Sequence, residues 1–294
     1  MANARALDKR RKSIRNIRKI TRTMELIATA RYKKAMDRAA AVTAYTEQIT
    51  KVVSRLVAAG TEVRHPLLET RDNPSTARVL CLASNRGLCG GYNAGVLRTI
   101  VPHVEQLRGA IPNLVVDVSG KRGINGLKYR GIETTQQWTQ FEDQPPYAEV
   151  EKIAAEYLRQ YALGEIDRLD VVYTKFISTS RQRAVVETLL PLGSLESSDA
   201  QGATPDSGSE FEFLPSAESI LEEIIPTSFK VKLFKCFLDA AVSEQVARMI
   251  AMKGATESAG DMIKQLSMTY NRARQSQITG EIMEIIGGVE ALAK

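Results

Sequence analysis

The residues best placed to do chemistry are gathered in Ser84-Asn-Arg-Gly-Leu-Cys-Gly-Gly-Tyr-Asn93. A glycine-rich turn that follows a strand and opens a helix is where backbone N–H groups collect phosphate. The apolar run Arg78-Val-Leu-Cys-Leu-Ala83 reads as that strand, and a helical stretch continues to about Arg108. A P-loop would need Gly-Lys and then Ser or Thr, which do not follow. Nor does Gly87-Leu-Cys-Gly-Gly fit the G-x-G-x-x-G fingerprint. The spacing predicts a tight turn that lets the backbone pack closely, with no cofactor. Three cysteines, Cys81, Cys89 and Cys236, lack paired spacing and fit a reducing compartment. His65 and His103 stand apart without a second ligand at metal spacing, so no metal site is expected. No Ser-His-Asp, Cys-His or convergent carboxylate arrangement is present, and no catalytic residue is predicted.

Charge is the next signal. The formal net charge is +6 over 294 residues. Between Arg5 and Arg38 there are thirteen Lys or Arg against three acids, Asp8, Glu25 and Asp37, so this segment holds +10 and the rest −4. Such a helix suits an acidic partner, whether nucleic acid, lipid headgroups or an acidic protein surface, or else forms a solvated face. A nucleic-acid reader would place aromatic side chains beside the cluster, and only Tyr32 lies there. No run of about 20 apolar residues exists to span a bilayer. The N-terminus lacks the apolar core of a signal peptide, and Asp8 with continuous heptads argues against a cleaved transit peptide.

The elements that must carry these residues are unusual in length. Residues 2–59 contain no Gly or Pro, and the last Pro is Pro226. A helix over the first stretch would be roughly 85 Å long, too long to bury its apolar stripe on one compact core. Reading every seventh residue gives Leu7, Ile14, Thr21, Ala28, Ala35, Val42, Ile49 and Leu56, with a companion row Ile17, Met24, Arg31, Arg38, Tyr45 and Val52. A second seam runs through Leu238, Val242, Gln245, Met249, Met252, Thr256, Ala259, Ile263, Leu266, Tyr270, Ala273 and Gln277. The sequence predicts that the two ends pair as an antiparallel coiled coil. Small and polar seam residues allow close helix approach and a wet or changing environment.

Between them the pattern changes. Asn113-Leu-Val-Val-Asp-Val-Ser119, residues 169–176 and residues 184–192 read as further strands. Helices are expected after Gly120 and over residues 147–162. This alternation predicts an α/β fold with a largely parallel sheet. Residues 194–210, rich in Ser, Gly, Asp and Pro, read as a mobile loop. The expected domains are a helix over 1–60, an α/β domain over 74–215 and a helix over 219–294.

Several stretches together resemble one family. Arg15-Asn-Ile-Arg-Lys-Ile-Thr-Arg-Thr-Met-Glu-Leu-Ile-Ala-Thr-Ala-Arg-Tyr-Lys-Lys-Ala35 is similar to the N-terminal helix of the gamma subunit of F-type ATP synthases. The loop from Ser84 to Asn93 resembles that family's Gly-Leu-Cys-Gly-Gly loop. Ser243-Glu-Gln-Val-Ala-Arg-Met-Ile-Ala-Met-Lys253 and Tyr270-Asn-Arg-Ala-Arg-Gln-Ser-Gln-Ile-Thr-Gly-Glu-Ile-Met-Glu-Ile285 resemble its C-terminal helix.

The resemblance implies a long antiparallel coiled coil beside a Rossmann-like α/β domain. It also implies a non-catalytic central-stalk rotor, with alpha, beta and epsilon subunits and the c-ring as partners and no nucleic acid. The implied place is peripheral, on the cytoplasmic side of a bacterial inner membrane, coupling proton flow to ATP synthesis or hydrolysis. Carried over by position, Met24, Arg248, Gln275 and Thr279 become rotor–stator contacts, with Glu281 and Glu284 acids near the end of the C-terminal helix. At the foot, Phe211-Glu-Phe-Leu-Pro215 stands where relatives carry Tyr-x-Tyr-Glu-Pro, so Phe211, Phe213 and Leu214 imply an apolar c-ring contact. A basic coiled-coil nucleic-acid-binding protein and a small-molecule enzyme on the α/β domain remain the competing readings.

Overall fold

The structure is a computed structural model that describes residues 4–58, 66–67, 71, 74–192 and 217–292. The expected loop over 194–210 lies outside the described residues. The chain divides into two compact units, one of Met1–Thr29 with Arg248–Lys294 and one of Ala30–Ala247. Both long helices, α1 (Ala4–Ala58) and α5 (Ala217–Leu292), contribute to each unit.

In the smaller unit the helices run antiparallel. The Thr21 and Thr256 hydroxyls lie 2.9 Å apart, and the Arg11 guanidinium sits 4.7 Å from the Tyr270 ring centre. As α1 is followed backwards, α5 is followed forwards. The long side chain of Arg11 covers apolar surface with its stem and the ring face with its charge. Along the seam through Ala28, Ala28 and Ala35 are buried and Leu7, Ile14, Thr21 and Val42 half-buried; in the companion row Met24 and Arg31 are half-buried, while Ile17, Arg38 and Tyr45 are exposed. Arg11, Glu25, Tyr32 and Ala39 also turn inward, so the covered stripe is wider than one a/d row. Alanine at Ala28, Ala35 and Ala39 is what permits close approach, because no longer side chain holds the backbones apart.

The larger unit is built on a five-stranded sheet. Its strands are β1 (Thr76–Leu82), β2 (Asn113–Ser119), β3 (Gln137–Trp138), β4 (Arg168–Ser178) and β5 (Arg181–Leu190), in the order β3-β2-β1-β4-β5. The first four are parallel, and β5 returns antiparallel to β4 through a turn at Thr179 and Ser180. Parallel strands need crossovers, which α2 (Tyr92–Ala110), α3 (Lys121–Lys128) and α4 (Tyr147–Ala162) supply. Alternation along β1 separates two cores. Val79 and Cys81 point to α2 and α3, meeting Val96, Ile100, Val104 and Leu127. Leu80 and Leu82 point the other way, to Tyr157 and Tyr161 of α4 and Phe229, Leu233 and Phe237 of α5. A smaller core joins Ala35 and Ala39 of α1 to Leu238, Val242 and Val246 of α5. This is the α/β arrangement expected, with a Rossmann-like parallel sheet and one antiparallel edge.

Close backbone approach falls at the start of the glycine-rich loop rather than at Gly87 or Gly91. Nothing lies within 4 Å of a Cβ built on Gly91, and Gly87 meets the movable Arg122 guanidinium. The tight position is Gly120, between β2 and α3. Its φ is +106°, and a Cβ there would lie 2.1 Å from the Ala83 carbonyl oxygen. Gly120→Ala is therefore expected to cost about 3 kcal/mol or more, from backbone strain and overpacking together. Urea unfolding would read this as a lower midpoint at unchanged slope. A midpoint equal to that of the unsubstituted chain would show that the β2–α3 junction can relax.

Candidate functional site

The glycine-rich loop is held by its own polar groups. Asn93 Oδ1 accepts the Ser84 N–H at 3.0 Å, and Asn93 Nδ2 donates to Ser84 Oγ at 2.7 Å and to Cys89 Sγ at 3.1 Å. Ser84 Oγ donates to the Arg86 carbonyl at 2.6 Å. Leu88 adopts φ 64° and Gly90 φ 55°, so the chain doubles back twice within the turn. Loop side chains also reach outward. Asn85 Nδ2 donates to the carbonyls of Thr139 and Phe141 at 2.9 and 2.7 Å, and Arg86 Nη2 meets both Glu142 oxygens at 2.9 Å. The loop thus clasps the segment that follows β3, a role its glycine spacing alone does not reveal.

His103 has a structural partner. His103 Nε2 lies 2.8 Å from Oδ2 of Asp170, a buried carboxylate that also bonds Arg168 and Thr188. Burial alone would raise the Asp170 pKa; the bonds from His103 and Thr188 and the Arg168 charge outweigh it and hold it below the usual value. His65 lies outside the described residues. All three cysteines are buried free thiols, and burial pushes Cys81 up to about 12 and Cys236 well above its ordinary range. Cys81 and Cys236 are therefore inert thiols, since the thiolate is the reactive form. Among the described residues no group of three or more His, Cys, Asp or Glu could hold a metal ion.

What remains is surface. On α1 the basic side chains Arg10, Arg15, Arg18 and Lys19 are exposed. Asp8 bridges Arg11 and Lys12, and hydrogen bonds from Lys12 and then Arg11 lower its pKa. Ile17, Ile20, Leu26 and Ile27 are exposed beside them. On α5 the buried seam runs out after Ala273. Beyond it the helix stays exposed on every side, with Ile278, Ile282, Met283, Ile285, Ile286 and Val289 open to solvent. Gly287 and Gly288 do not interrupt it. Apolar exposure of this extent marks a surface that another molecule covers. Tyr32, the aromatic that a nucleic-acid reading would need, turns to the Phe176 ring at 6.4 Å between centres and is half-buried.

Known proteins resolve the question of kinship. A sequence model of the family described as ATP synthase matches residues 3–292. The ATP synthase gamma chain of Rhodopirellula baltica is 79% identical over 294 residues, covering 99% of each chain. The chain belongs to the ATP synthase gamma-chain family. A second gamma chain, from Leptospira biflexa, is 36% identical over 293 residues and the whole of both chains. A chain in the cryo-EM structure of Euglena gracilis mitochondrial ATP synthase, OSCP/F1/c-ring, has a TM-score of 0.65 at 18% identity. It is covered to 94%, against 98% of this chain. A chain of the Euglena gracilis rotor has a TM-score of 0.59 at 16% identity, covering 94% of this chain and 98% of that one. These two likenesses establish the fold.

Within this gamma chain the positions carried over from the family fall into distinct environments. Met24 is half-buried, Arg248 is buried, and Gln275 and Thr279 are exposed on the unpaired end of α5. Glu281, also exposed, accepts a hydrogen bond from Gln277 at 3.0 Å, and Glu284 is exposed. Phe211, Phe213 and Leu214 lie outside the described residues. Sequence reasoning passed over Asp143, between β3 and α4, which bonds side chains of both long helices. An acid in a loop carries no signal that separates it from a solvated one.

Proposed function

We propose that the chain is the central-stalk rotor of an F-type ATP synthase, a non-catalytic subunit that couples proton flow through a c-ring to ATP synthesis or hydrolysis. Its partners in this reading are the alpha and beta subunits around the paired helices, with epsilon and the c-ring at the foot. It sits peripherally on the cytoplasmic side of a bacterial inner membrane. Among the described residues no helix is long and apolar enough to cross a membrane. The observation that carries the reading is the end of α5, where an unpaired, apolar helix extends beyond the last seam residue of a chain with gamma-chain relatives along its whole length.

A rotor must present different faces to like subunits without adhering to any of them. Switching a two-state subunit almost completely takes about 5.5 kcal/mol of differential interaction. An exposed helix with scattered apolar and polar side chains supplies many small contacts that change as it turns. Gln275 and Thr279 lie on that stretch, and Met24 and Arg248 lie where the helices are paired. We assign all four as rotor–stator contacts, and Phe211, Phe213 and Leu214 as an apolar contact with the c-ring.

Gln275 gives the clean test because it is exposed. Gln275→Ala is expected to change stability by no more than about 0.5 kcal/mol, as surface substitutions do, while ATP synthesis by the reconstituted complex falls. Arg248→Ala is a poorer probe, since its side chain is buried and its removal also costs packing. Normal synthesis by the Gln275 variant would remove that residue from the stator contact. Failure of the unsubstituted chain to assemble with alpha and beta subunits would remove the rotor reading itself.

A further inference from the structure

In the segment between β3 and α4, Asp143 bonds side chains of both long helices. Asp143 Oδ2 accepts from Arg31 Nη1 on α1, and Asp143 Oδ1 accepts from Gln245 Nε2 on α5 at 2.6 Å. Each carboxylate oxygen serves a different helix. Arg31, Asp143 and Gln245 all belong to the larger unit, with the sheet. Gln245 is fully buried and its Oε1 finds no partner, so the bond to Asp143 offsets the desolvation of that amide. Two residues back, Phe141 is buried with its ring 5.0 Å from that of Phe237 on α5. The residues leading up to Asp143, from Thr139 to Glu142, are those clasped by Asn85 and Arg86 of the glycine-rich loop. A continuous chain of contacts therefore runs from the C-terminal end of β1, through the loop and residues 139–143, to both helices.

We propose that Asp143 is a positioning residue of the rotor, fixing α1 and α5 against each other and against the sheet so that twist enters both helices together. This rests on the coupling role proposed above. The paired helices have small seam residues at Ala35 and Ala39, which make close contact but interlock weakly. Helices so packed can slide, and one carboxylate bonded to both opposes sliding with two directional, charge-assisted bonds. The glycine-rich loop then has a mechanical role, since its Asn85 and Arg86 set where Asp143 is presented.

The test uses the complete complex in sealed vesicles, with Asp143→Asn and with the exchange Arg31→Asp plus Asp143→Arg. Asparagine keeps the size and an acceptor for Gln245 but loses the charge facing Arg31. Amide exchange in residues 139–145 is expected to rise on the order of tenfold in Asp143→Asn, as for loss of one charge-assisted hydrogen bond. Protons pumped per ATP hydrolysed are expected to fall, and the double exchange to restore both readouts, because Gln245 can offer its unpaired Oε1 to the new arginine. A purely structural role would lower hydrolysis and pumping in proportion and leave their ratio unchanged. That result, or an exchange that restores neither readout, overturns the proposal. An unsubstituted complex that hydrolyses ATP without pumping would overturn the coupling role instead.

Discussion

Arg78→Met is expected to destabilise the α/β fold by about 3–5 kcal/mol at neutral pH, the usual cost of leaving one member of a buried ion pair alone. Arg78 lies on β1 and Asp117 on β2, both buried, with Arg78 Nε 3.5 Å from Asp117 Oδ2. Nε makes no hydrogen bond, so the attraction is one of charge rather than of direction. The carboxylate also accepts from the Tyr157 hydroxyl at 2.9 Å and from the Gln136 N–H at 3.0 Å. Arg78 in turn donates to Gln160 Oε1 at 2.6 Å, and its guanidinium lies 5.6 Å from the Tyr157 ring centre. Methionine replaces the stem and removes the cation.

The pH dependence separates this account from simple loss of packing. Burial raises the Asp117 pKa in the folded chain, against the pull of Arg78, the Gln136 N–H and Tyr157. Without Arg78 the folded value rises further. An acid whose folded pKa lies above its unfolded value of 3.8 binds its proton more tightly when folded, so stability falls as pH rises from there. The cost of Arg78→Met should therefore be smaller at pH 4 than at pH 8. Adding Asp117→Asn should recover part of the loss at pH 8. Equal cost at both pH values would mean that Asp117 takes no part and that the loss lies in the bond to Gln160 and the packing on Tyr157.

How much of this was legible in the sequence depends on how local the signal was. The strand β2 was read at its true bounds, because Asn113-Leu-Val-Val-Asp-Val-Ser119 is an apolar run between turn residues. Asp117 within that run, and Asp170 within Leu169-Asp-Val-Val, carried a signal that the sequence reading passed over, since an acid in a strand buried on both faces must find partners. The two-residue β3 was not readable, because Gln137 and Trp138 have no periodicity to display. Part of the seam was misread for a physical reason. Ile17 is more apolar than Arg11, so hydrophobicity favoured Ile17, which is exposed. Arg11 nevertheless turns inward, because the Tyr270 ring on the other helix receives its charge. That partner is more than two hundred positions away, and no local pattern records it. Asp143 was invisible for the same reason, as both of its partners are distant in sequence.

Asp239→Asn is expected to stabilise the chain at pH 8 and to leave it unchanged at pH 4. Asp239 lies on α5 and is 5% exposed. Burial pushes its pKa from 3.8 up to about 6, opposed by Lys235 on the same helix and Lys175 on β4, and reinforced by Glu187 on β5. Glu187 accepts a hydrogen bond from the Tyr173 hydroxyl at 2.5 Å. A folded value above the unfolded one means that the native state holds the proton more tightly. Stability is fully retained below about pH 4, declines between pH 4 and 6, and stays low above that. A shift of this size corresponds to at most about 3 kcal/mol, and relaxation around the side chain brings the expected gain to about 1–3 kcal/mol. Asparagine has the same shape and no charge, so it removes the penalty without opening a cavity. Urea unfolding at pH 4 and pH 8 would measure the gain as a midpoint that rises only at the higher pH. An asparagine variant less stable than the parent at pH 8 would mean that Lys235 and Lys175 gain more from the charge than burial costs, and that Asp239 is a paired anion.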